Sequence, residues 1–65
     1  MNDPILDAAL HNLVGTTDDI KAADRLLKVL AEAGEDVTQE KASISQFKAR
    51  RDKMILSLRN NGAQD

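Results

Sequence analysis

Cysteine, Trp and Tyr are absent from this 65-residue chain, and Phe47 is its only aromatic residue. No disulfide can staple the fold, and a single histidine excludes the four-ligand Cys/His zinc sites. So few aromatics also disfavour a strand-rich fold. Proline occurs once and glycine three times, while charged residues make up 31% and hydrophobic ones 42%. That balance belongs to a folded helical domain rather than a disordered tail. Apolar runs end after two or three residues, too soon for a membrane span or a signal-peptide core, so the expectation is a cytoplasmic protein without a membrane role.

A chain this short forms one domain at most and buries only about 60% of the surface its unfolded form exposes. With no covalent or metal staple in view, association with a partner or a second copy is the remaining source of stability. Net charge is −2, unevenly laid out. Residues 1–20 carry Asp3, Asp7, Asp18 and Asp19 and no Lys or Arg; residues 48–59 carry Lys48, Arg50, Arg51, Lys53 and Arg59 against Asp52 alone. The two regions attract each other, within a chain or between chains.

The strongest periodicity runs from Ile44 to Leu58, where Ile44, Phe47, Arg51, Met54 and Leu58 recur at alternating spacings of three and four. That is a heptad seam on a helix, with Ile55 beside it. Upstream, Asp3-Pro4 is a helix start, because Asp caps free N–H groups and Pro at the first position costs no hydrogen bond. The predicted first helix covers about 4–14 and carries Leu6, Leu10 and Leu13 at helical spacing, with Gly15 expected as a left-handed cap. Thr16 to Asp19 then supply hydroxyl caps and carboxylates for a second helix, 17–33, whose apolar residues spread over roughly 200° of the helical wheel. Gly34 stops it, and Thr38 is expected to cap a third helix reaching about residue 60, followed by a frayed tail at 61–65. The short connection at 34–37 predicts that the second and third helices form an antiparallel hairpin.

Arg51 is the oddity on that seam. Folding the hairpin symmetrically about residues 35 and 36 sets it near Asp18 and Asp19. It is then either a rim arginine reaching those carboxylates or a polar seam residue that fixes register and oligomeric state. Lys48, Arg50, Arg51 and Lys53 form a basic patch of the kind that meets phosphates. An acidic chain with pI about 5.2, no aromatics interleaved, and a patch split among helix faces make nucleic acid the lesser reading. His11 and Asp7, four residues apart, are two side chains and not a metal site. Ser43, Ser45 and Ser57 lack a histidine to activate them, and no glycine-rich phosphate loop is present, so no enzymatic machinery and no cofactor are expected.

The expected architecture is therefore all-α: a short N-terminal helix and an antiparallel helical hairpin, joined as a homodimeric bundle. Its expected role is docking apolar helix faces on a larger protein, as an adaptor, inhibitor, assembly factor or small chaperone. In size and plan the chain is similar to small accessory proteins of bacteriophages and bacterial secretion systems, a likeness that transfers no residue roles. Candidate partner-binding residues are Leu6, Leu10, Leu13, Leu26, Val29 and Leu56. The alternative is a dimeric nucleic-acid-binding regulator using the basic patch.

Overall fold

In the computed structural model, residues 3–64 are described; 82% of them are helical and none is in a strand. Helix α1 spans Pro4–Gly15, α2 Thr17–Glu32 and α3 Thr38–Asn60. A single turn residue, Thr16, separates α1 from α2. The fold is thus two helical arms, the first bent at Thr16.

Asp3 starts the first arm, its Oδ1 accepting from the N–H of Ile5 at 2.9 Å and of Leu6 at 3.3 Å. Gly15 does not end it in the expected way. The left-handed glycines are Gly34 and Gly62, with φ of 94° and 96°, while Gly15 is an ordinary helical residue. The physical reason lies in the two threonines that follow. Rather than capping α2 forwards, Thr16 Oγ1 donates back to the Leu13 carbonyl at 2.7 Å and Thr17 Oγ1 to the Val14 carbonyl at 2.8 Å. Such back-bonding, together with the tightened Thr16 N–H to Leu13 carbonyl bond of 3.2 Å, bends a helix without terminating it.

The other two helix ends are built by glycine. At Gly34 the N–H of Gly34 reaches the Ala31 carbonyl and that of Glu35 the Leu30 carbonyl; at Gly62 the same pair of bonds joins Gly62 to Arg59 and Ala63 to Leu58. Both are Schellman motifs, which need the left-handed residue that glycine supplies. α3 begins one step away from expectation. Asp36, not Thr38, is the capping side chain: its Oδ1 accepts from the Thr38 N–H at 3.0 Å and the Thr38 hydroxyl at 2.7 Å.

α3 touches both halves of the bent arm. Its contacts run in reverse chain order: Ile44 and Phe47 border Ile20 and Ala23, Arg51 meets Leu13 to Thr17, and the residues after α3 meet the start of α1. Leu10, fully buried, Ile55 and Ala63 form the core, with Leu6, Leu13, Val14 and Leu58 packed around them. The tail expected to fray is therefore engaged as far as Gln64, whose N–H donates to Asp7 Oδ1 at 2.8 Å; Asp65 lies outside the described residues. The seam of α3 is also rotated from the predicted one. Arg51 and Ile55 are its buried residues, while Phe47 and Met54 stand half-exposed. Ile55 packs with Leu10 and Ala63 where Met54 was expected.

The molecule measures 52 × 16 × 12 Å, with a radius of gyration of 15.0 Å. A compact domain of this length has a radius near 11 Å. The two arms form one layer, and no second layer covers it.

Candidate functional site

Arg51 is the most heavily bonded side chain of the molecule's described part. Although charged, it is buried, and its Nε donates to the Leu13 carbonyl at 2.9 Å and to Thr16 Oγ1 at 2.7 Å. One terminal nitrogen donates to Thr17 Oγ1 and the other to Asp52 Oδ1 at 2.9 Å. The guanidinium thus sits at the carbonyl end of α1, where the helix dipole places partial negative charge. Asp18 and Asp19, the expected carboxylate partners, are exposed, and the ion pair is made with the neighbouring Asp52 instead. With its guanidinium enclosed, Arg51 is not presented to phosphates. Lys48, Arg50 and Lys53 are the exposed members of the basic patch; Arg50 and Lys53 are neighbours three residues apart, and Lys48 lies on another side of α3.

The remaining feature is apolar. Leu26 is 59% exposed, Leu30 36%, Phe47 47% and Met54 48%. A shallow groove between the arms joins Leu26 to Phe47, lined by Ala23, Ser43 and Ile44 with Asp19, Gln39 and Glu40 at its edges. Leu30 follows Leu26 by one helical turn, and Met54 follows Phe47 by two, so all four share one side of the rod. The depression on the opposite side is bordered by Asp24, Lys28, Glu32 and Lys41. The first side is the more apolar, with Asp19, Gln39 and Glu40 at its edges, and the opposite side, which carries Leu56, is the more charged.

Of the residues expected to bind a partner, Leu6, Leu10 and Leu13 are not available as a free stripe, because they pack into the core against α3. Leu26 borders the apolar side. Val29 is exposed on the outer edge of α2, and Leu56 lies across the rod beside Val14, Asp52 and Arg59. The structure therefore does not gather these six into one surface. Periodicity assigned Phe47 and Met54 to the seam of α3, and for α2 only the 200° width of its apolar arc signalled that part of it, here Leu26 and Leu30, must face outwards.

Among the described residues no group of three or more His, Cys, Asp or Glu side chains comes together to hold a metal, and no helix is long and apolar enough to cross a membrane. His11 is exposed, and its neighbour Asp7 is engaged by the Gln64 N–H. No protein-family model, curated protein or solved structure matches this chain.

Proposed function

We propose that the protein is a small binding module, an antiparallel helical hairpin that docks its oily side on another protein surface. The observation that carries this reading is the set Leu26, Leu30, Phe47 and Met54, exposed on one side of a layer only one helix pair thick. Monomeric domains rarely leave such sets uncovered, and their usual role is to meet another macromolecule. The set is laid out as helical anchors on two adjacent helices, the pattern used when helices pack on a groove or on other helices.

A photo-reactive side chain installed at position 26 or 47 tests this in cells of the native host. The expected result is covalent capture of protein at these two positions and little at Lys28 or Leu56, on the other side. Equal capture at all four positions, or none at any, overturns the docking role. The basic-patch alternative predicts something different: capture of nucleic acid near Lys48 and Lys53, falling steeply between about 50 and 200 mM salt.

A further inference from the structure

We infer that the occupant of the oily side is a second copy of this chain, so that two layers close into a four-helix bundle. The inference rests on the docking role proposed above and names the partner for that same surface. Surface area argues first. A compact monomer of 7.1 kDa exposes about 4,100 Å², whereas this chain exposes 5137 Å². The excess, about 1,000 Å², is close to the roughly 800 Å² that each partner contributes to a standard interface. One identical layer is the right amount of cover.

Shape and charge then choose a second copy over an unrelated protein. Bulky Leu26 and Phe47 flank a hollow floored by Ala23 and Ser43. A face that carries both knobs and a hollow is self-complementary under a two-fold axis. With that axis parallel to the rod, α2 of one copy lies over α3 of the other and runs opposite to it. The rim of the oily side carries an acid on α2, Asp19, and a base on α3, Arg50, both exposed and within about one turn of the same level. Stacking by that axis sets each Asp19 beside Arg50 of the second copy. One rim pair of opposite charge on each side is thus brought together when the chain meets itself.

Mass in solution tests the inference. Sedimentation equilibrium from about one to about a hundred micromolar should show a particle of twice 7.1 kDa, with a melting temperature that rises with concentration. Leu26→Asp and Phe47→Asp should each shift the dissociation constant up at least a hundredfold, while Leu56→Asp, on the other side, leaves it within about threefold. Should the face variants fail to fold, single-cysteine variants replace them. The native chain has no cysteine, so a short bismaleimide should join two copies through Phe47→Cys and not through Lys28→Cys. A wild-type particle that stays at 7.1 kDa throughout, or a dimer cross-linked through position 28, overturns the inference. If the monomeric protein is nevertheless captured through positions 26 and 47 by other proteins, the docking role stands and only its partner was misnamed. If nothing is captured there, both fail.

Discussion

Arg51 is charged and buried, yet each of its three guanidinium nitrogens donates to an acceptor. Besides the adjacent Asp52, its partners belong to a bend 34 to 38 residues earlier in the chain, so one side chain ties the middle of α3 to the joint of the first arm. Arg51→Leu would keep the bulk and leave the Leu13 carbonyl and two threonine hydroxyls with fewer donors in a part-buried place. The expected cost is about 2–3 kcal/mol, seen as a fall in the denaturation midpoint without loss of helix content. Arg51→Lys keeps the charge but not the planar fork, and should recover about half of that at most. A double-mutant cycle with Thr17→Val should give a coupling of about 1 kcal/mol. Additive effects would mean that the Arg51 to Thr17 bond contributes nothing.

Glycine gives a second residue-scale test, with a sign that depends on position. Gly15 lies in a helix, has ordinary negative φ, and an added Cβ would meet nothing within 4 Å. Gly15→Ala should therefore stabilise by about 0.5–1 kcal/mol. Gly34 also has open space, but its φ of +94° penalises any side chain, so Gly34→Ala should destabilise by about 1 kcal/mol. Thermal melts decide both. Were Gly15 the left-handed cap that its position suggests, both substitutions would destabilise.

At the scale of elements, the start of α3 is held by one carboxylate. Hydrogen bonds from the Thr38 hydroxyl and then the Thr38 N–H hold Asp36 below the usual carboxylate range, against a small opposing effect of desolvation. A group whose folded pKa is depressed stabilises the fold above its unfolded pKa, near 3.9, and that contribution disappears as pH falls through the lower folded value. Asp36→Ala should lower the melting temperature at neutral pH and flatten its decline below about pH 4. An unchanged acid limb in the variant would show that other carboxylates set it. The element boundaries show what sequence can reveal. Asp3, Gly34 and Gly62 act through bonds made within five residues, so their roles are legible locally. Gly15 and Thr16 are less so, because the same threonines that read as caps for a new helix instead bond back to Leu13 and Val14 and bend the old one. On α3 the buried seam takes Ile55 rather than Met54, which leaves Met54, with Phe47, on the candidate site. Periodicity alone could place those residues on a helix, but not choose between its inner and outer faces.

For the whole molecule, burial is unevenly distributed along the rod. The core cluster of Leu10, Ile55 and Ala63, with Leu6, Leu13, Val14 and Leu58 around it, lies at the end that holds both termini, and the Arg51 joint sits beside it. Toward the connection at 33–37, Leu27 and Val37 are buried, while Leu26, Val29 and Leu30 are exposed. Local opening is easiest where buried apolar contacts are few. Amide hydrogen exchange at low micromolar concentration should therefore be slowest in residues 10–14 and 51–58, and faster in the last two turns of α2 and the first two of α3. Covering the oily side changes this profile in a way that covering the charged side cannot. As concentration rises, protection should grow along residues 22–30 and 43–54, and the two ends of the rod should approach equal stability. If exchange is already slowest near the connection in dilute solution, the weight of the core has been placed at the wrong end. If protection rises uniformly with concentration, association is stabilising the whole fold without using that side.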